Sequence, residues 1–170
     1  GLIVSCEQVE KSPSKLQPRE GRPLIALIMK SLANEFFVTM ANGARAHHEK
    51  HLGQYDLIVN GIKNEIDLAQ QVALIDQMIA SQVDAIVIAP ADSKAMVPAL
   101  ARAIENGILV VNIDNRLDKE VLRDYGLRVP FVGPDNFRGA EMVGSYLAQH
   151  MSAGQEVAIL EGVPTAYNSQ

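Results

Sequence analysis

The sequence has no tryptophan, one cysteine in 170 residues, and no apolar run near the roughly 20 residues of a membrane span. A lone cysteine excludes an internal disulfide framework and a thiolate-rich zinc site. Aromatic residues make up only 5%, too few for a platform that stacks single-stranded bases. Basic charge is also short: 20 acids against 15 bases leave a net charge of −5, which argues against a duplex nucleic acid as partner. No G-x-G-x-x-G, G-x-x-x-x-G-K-[ST] or G-x-S-x-G occurs, so neither a phosphate cradle nor a nucleophile elbow is written in the glycines. What remains is an ordinary globular mix, 48% apolar and 21% charged, at a length that suits one α/β domain.

The cysteine sits in an informative place. Gly1-Leu2-Ile3-Val4-Ser5-Cys6 is a short apolar stretch and a small residue before a cysteine, followed by a polar run through Lys11-Ser12-Pro13-Ser14-Lys15 to Gly21. One reading is the processing box of a bacterial lipoprotein, with Cys6 lipidated and residues 1–22 a remnant plus flexible tether. The other is a frayed terminus with an incidental thiol. A Ser-x-x-Lys match at Ser12 to Lys15 lies in this tether, with no core to fix its geometry.

From Pro23 the pattern alternates. Continuous apolar runs at 24–29, 57–59, 85–89, 108–113, 131–133 and 157–160 read as strands buried on both faces. Between them lie helical stripes: Phe37, Met40, Ala44, His48, Leu52; Leu68, Val72, Ile75, Ile79, Val83; Val97, Leu100, Ile104; and Ala140, Val143, Leu147, Met151. Ser93 is the expected N-cap of the third helix, and 114–128 reads as a polar connection. The expected fold is α/β: a doubly wound, mostly parallel six-stranded sheet with helices on both faces, Rossmann-like or flavodoxin-like.

In such a sheet ligands bind outside the carboxyl ends of the strands. Two of those loops carry chemistry: Lys30 to Phe37 after the first strand, and Asp114-Asn115-Arg116 after the fourth. Asn34 and Asn115 offer amides, Asp114 a carboxylate, and Phe36 or Phe37 a ring, a set suited to the hydroxyl rim and C–H faces of a neutral polyhydroxyl ligand. The bland reading makes both phenylalanines core residues and Asp114 a loop cap. His47, His48 and His51 share one helix, but they point away from the ligand edge and read as a solvated face rather than a metal site. No cofactor or metal is expected.

Several segments, taken in order, resemble one family. They are Asn34-Glu35-Phe36-Phe37 with Gly43-Ala44, Val83 to Pro90 with Asp92-Ser93, Gly107 to Asp114, Val132-Gly133-Pro134-Asp135-Asn136 with Gly139, and Glu161-Gly162-Val163-Pro164. The set is similar to the periplasmic sugar-binding proteins of ABC transporters, ribose-binding type, over about 23–170. The resemblance implies two lobes that close on a sugar, with 23–170 the N-terminal lobe and the second lobe missing from the chain. It places Asn34, Phe36, Phe37, Asp114, Asn115 and Gln170 at ligand contacts and Pro134 and Asp135 at a hinge. Three departures bear on specificity. Glu35 replaces a frequent proline, Asn115 intervenes before Arg116, and Ala89 replaces an asparagine, which points away from ribose itself. Lys30 at the mouth could admit a carboxylated or phosphorylated ligand.

The implied function is non-enzymatic: capture of a monosaccharide or similar polyol for an ABC-type importer. An inner-membrane permease would be the partner, the periplasm or cell envelope the location, and Cys6 a possible lipid anchor. Two other functions share the fold, the effector lobe of a LacI-type regulator and the sugar-sensing lobe of a receptor kinase. A regulator would carry a helix-turn-helix and a basic surface, and a sensor a membrane span. No nucleophile–base pair or metal set suggests an enzyme.

Overall fold

The computed structural model describes residues 21–169, so Cys6, the Ser12–Lys15 match and Gln170 lie outside the described residues. The strands are Leu24–Ser31 (β1), Asp56–Ile62 (β2), Ala85–Ile88 (β3), Leu109–Ile113 (β4) and Phe131–Val132 (β5). The helices are Glu35–Lys50 (α1), Leu68–Ala80 (α2), Val97–Glu105 (α3), Lys119–Asp124 (α4) and Asn136–Gln149 (α5). Every strand pairing is parallel, in the order β2-β1-β3-β4-β5.

Successive strand residues face opposite sides of a sheet, and here both sides are covered. Ala26, Ile28, Ile86, Ile88 and Val110 meet Ile75 and Met78 of α2 and Leu100 of α3 on one face. Leu27 and Met29 meet Phe37 of α1 and Ala89 on the other. That two-sided burial is why the strands read as unbroken apolar runs.

The expected doubly wound fold is present with five strands instead of six. Val157–Leu160 forms no strand, and Ile159 and Leu160 are 84% and 98% exposed. An apolar run becomes a strand only where an edge receives it. The edge strand here, β5, is two residues long and pairs only with β4 among the described strands. α5, capped by the Asp135 carboxylate, has no buried residue, and its Phe137, Val143 and Tyr146 face outward.

Two local expectations are also revised. The connection 114–128 contains α4, whose first turn is capped by Asp118 accepting from the Glu120 and Val121 amides. The Val121 N–H bond is the leading reason the Asp118 carboxyl is held below its ordinary range. Ser93 is not a helix cap: α3 begins at Val97, and the preceding turn is closed by Asp92, which accepts from the Lys94 and Ala95 amides at 2.8 and 2.7 Å. Burial pulls the Asp92 carboxyl upward, but the bonds from Ala95, Thr165 and Lys94 outweigh it and hold the group low.

One buried polar side chain fixes the carboxyl edge of the sheet. Gln71 of α2 is fully buried, accepts from the Ala91 amide at 2.7 Å and donates to the Ala89 carbonyl at 3.0 Å. Gln71→Leu orphans both groups and is expected to cost about 2 kcal/mol. Urea denaturation reads this as a lower midpoint at constant slope; an unchanged midpoint would remove Gln71 from this role.

Candidate functional site

In the order β2-β1-β3-β4-β5 the chain winds outward in opposite directions from β1 and β3. Their following loops therefore part, and a crevice opens at the carboxyl edge. Lys30 at the end of β1 and Asp114 just after β4 reach toward each other across the end of β3. The Lys30 Nζ lies 3.5 Å from Asp114 Oδ2, and the two side chains are only 13% and 12% exposed.

Asp114 is unusual twice over. Its backbone is left-handed, with φ +60°, a conformation that aspartate and asparagine tolerate better than most residues. Its Oδ2 is buried and faces the Lys30 ammonium at 3.5 Å, with no other donor to it among the described residues. Burial drives the Asp114 carboxyl above its ordinary value; Lys30 opposes that, and the like charge of Glu65 adds to it. A buried anion with a single cationic partner and no further donor is costly, and a ligand bringing hydroxyl donors relieves that cost.

Asn112 holds this conformation. It is buried within β4, donates to the Asn115 carbonyl at 2.8 Å and accepts from the Leu117 amide at 2.9 Å, so the 113–117 turn wraps around its side chain. A polar residue inside the run Leu109-Val110-Val111-Asn112-Ile113 was the sequence signal for it.

The residues singled out from the sequence take different places. Asn34 stands at the mouth, where its oxygen caps α1 through the Phe36 amide at 3.0 Å and its nitrogen donates to Glu65 at 2.7 Å. Glu65, from the loop after β2, is a site residue the sequence did not point to. Phe36 is 55% exposed and packs edge-on against Phe37, with ring centroids 5.1 Å apart. Phe37 is 4% exposed, packs with Leu27, Met29 and Ala89, and lies 5.7 Å below the Lys30 ammonium. It is part of the core, and only Phe36 offers a ring face outward.

Asn115 is not presented at the open edge. Fully buried, it donates to the Pro90 carbonyl at 3.2 Å and accepts from the Asn168 amide at 3.2 Å. Pro134 and Asp135 are exposed between β5 and α5. Arg116 lies over the Phe131 ring at 4.1 Å, outside the Lys30–Asp114 pair.

The histidines occupy the far end of α1. His47 and His51 stack at 4.0 Å, His47 Nδ1 lies 2.7 Å from the Tyr55 hydroxyl, and His51 Nδ1 lies 2.7 Å from the His47 carbonyl. Among the described residues no group of three or more metal-ligating side chains comes together.

Comparison with known proteins places the chain. A family model described as a periplasmic binding protein domain matches residues 25–170. A D-ribose/D-allose-binding protein of Pseudomonas aeruginosa is 56% identical over 149 residues, 88% of this chain and 47% of that protein. An ABC transporter solute-binding protein from Burkholderia multivorans, of known crystal structure, superposes with a TM-score of 0.86 at 58% identity, covering 88% of this chain and 53% of that one. A periplasmic solute-binding protein from Actinobacillus succinogenes with bound D-allose gives 0.79 at 40% identity, over 87% of this chain and 51% of that one. The chain thus spans about half the length of the relatives it matches.

Proposed function

This chain belongs to the periplasmic binding protein family, and from that premise we propose that it captures a neutral monosaccharide at the Lys30–Asp114 edge for an ABC-type importer. The observation that carries the reading is the donor-poor carboxylate of Asp114, set beside Lys30 at the carboxyl edge of the sheet. Sugar hydroxyls donate to that carboxylate, and neighbouring ring C–H groups lie against the exposed face of Phe36. Asn34 and Glu65 line the rim on the β2 side.

Lys30 does not make this an anion site. Its ammonium is held by Asp114, and Glu65 adds a further negative charge nearby, so a phosphate or carboxylate would meet repulsion. Neutral aldoses fit better. The names of the relatives direct the choice of probes to D-allose and D-ribose.

The exposed α5 and unpaired 157–160 support a lobe boundary at the Gly133–Asp135 turn, earlier than position 170. Pro134 and Asp135 would then be the hinge, and the chain beyond them would open the second lobe. The importer's membrane permease is the partner in this reading, and Cys6 carries a lipid anchor, which rests on the Ser5-Cys6 sequence alone.

Calorimetric titration of the protein with D-allose, D-ribose and a sugar phosphate tests the reading. Saturable heat with at least one neutral aldose, and none with the phosphate, is the expected result. Tighter binding of the phosphate, or no heat with any neutral sugar, would contradict it.

A further inference from the structure

The far end of α1 gathers three imidazoles and a phenol. His47 and His51 stand four residues apart at the close of the helix, so they share a face. Their rings stack with centroids 4.0 Å apart and planes 17° from parallel. From the sequence these histidines read as a solvated face. In the structure His47 is exposed and His51 half-buried, but both rings are held in place through one nitrogen. His51 Nδ1 lies 2.7 Å from the His47 carbonyl, and His47 Nδ1 lies 2.7 Å from the Tyr55 hydroxyl. His48 is committed elsewhere, with its Nε2 3.1 Å from the Tyr55 carbonyl.

Those contacts decide which nitrogens are left over. A carbonyl oxygen only accepts, so His51 Nδ1 carries a proton and, in the neutral ring, Nε2 carries the lone pair. Tyr55 allows His47 the same tautomer, since a phenol oxygen can accept from Nδ1–H and leave Nε2 bare. Neither Nε2 has a hydrogen-bond partner among the described residues. An imidazole fixed through Nδ1–H to an oxygen and open at Nε2 is the arrangement found in metal-ligating histidines. One ion holds two nitrogens at about 2.0–2.1 Å each, so it spans at most about 4.2 Å between them. A ring spacing of 4.0 Å is compatible with that limit. The helix itself favours a cation here, because His51 is the C-cap of α1 and the negative end of the helix dipole lies there.

We propose that His47 and His51 form a binding site for one divalent transition-metal ion of the copper, nickel or zinc class, taken at their Nε2 atoms, with Tyr55 orienting His47. Two imidazoles without a carboxylate select such ions over magnesium or calcium, which prefer oxygen ligands. With two protein ligands the remaining positions belong to water, so the site exchanges its ion rather than enclosing it. A bound ion ties the end of α1, through His47, to the Tyr55 loop that leads into β2. Because α1 starts at the carboxyl edge and runs back along the sheet, this site lies at the opposite end from Asp114 and is independent of the sugar reading.

Zinc chloride titrated into the nitrogen-15-labelled protein, read through the imidazole nitrogens by NMR, tests this directly. The chain has four histidines, so each can be followed. The Nε2 resonances of His47 and His51 are expected to shift together and to saturate at one ion per protein, while magnesium chloride moves neither. His150 is the internal control: its Nδ1 lies 2.8 Å from the Tyr146 carbonyl, as in His51, but no second imidazole stands beside it. His51→Ala should weaken zinc binding about tenfold or more, and His48→Ala should leave it unchanged. Tyr55→Phe removes only the orienting hydroxyl and should weaken binding about tenfold. No saturable shift at His47 and His51, an equal shift at His150, or parental affinity in His51→Ala would overturn the site. Parental affinity in Tyr55→Phe would overturn the orienting role.

Discussion

Asp114→Asn is expected to weaken sugar binding by about a hundredfold or more while the ligand-free protein melts no lower than the parent at neutral pH. A carboxylate at this edge accepts two charge-assisted bonds from hydroxyls, each contributing about 1.5–3 kcal/mol, and an amide replaces at most part of one. Asparagine is the cleaner substitution because it keeps the shape and tolerates the left-handed backbone at φ +60°, where alanine adds strain. Stability moves the other way. The folded-state pKa of Asp114 lies above its ordinary value, so the folded protein binds the proton more tightly than the unfolded chain does. Stability from this group therefore falls as pH rises from the ordinary carboxylate value through the folded one. The attraction to Lys30 is already inside that balance, so asparagine, which mimics the neutral acid, removes the cost. Differential scanning calorimetry and titration on the same samples check both halves; parental affinity in Asp114→Asn would end the site assignment.

The two adjacent phenylalanines should part company just as sharply. Phe37→Ala is expected to destabilise the protein by about 3–5 kcal/mol, because the ring fills the contact between Leu27, Met29 and Ala89 and its loss leaves a cavity. Phe36→Ala removes a ring that is already 55% exposed, so stability should change by less than about 1 kcal/mol. Its effect falls on affinity, through the lost apolar face against the sugar. Denaturant titration reads the first substitution and calorimetry the second. Equal stability losses in the two variants would mean that both rings belong to the core.

Much of this was legible from local pattern. The apolar strands follow from two-sided burial, and Asp114 was reachable because a polar residue ending the fourth strand must lie at the ligand edge. The division between Phe36 and Phe37 was legible in part, since the stripe Phe37, Met40, Ala44 sets Phe37 on the apolar face of the helix, where the structure buries it, and leaves Phe36 off that face. Glu65 was hidden because its approach to Asn34 joins residues 31 positions apart. Asn115 looked like Asp114 in sequence; its burial is decided by the Pro90 carbonyl and by the return of Asn168 from far along the chain. Val157–Leu160 has the composition of a strand, but composition carries no information about whether an edge is there to receive it. Gln71 and Asn112 were each marked by the same weak signal, a polar residue in an apolar stripe.

The central claim is that the carboxylate of Asp114 takes the sugar's hydroxyls. Carbon-13 NMR of the aspartate carboxyl carbons, followed through acid titration with and without saturating D-allose or D-ribose, tests it most directly. Hydroxyl donors stabilise the charged form, so the account predicts that the raised titration point of Asp114 moves down toward the ordinary carboxylate value when the sugar is bound. An Asp114 resonance that titrates at the same pH in the free and the saturated protein would contradict it.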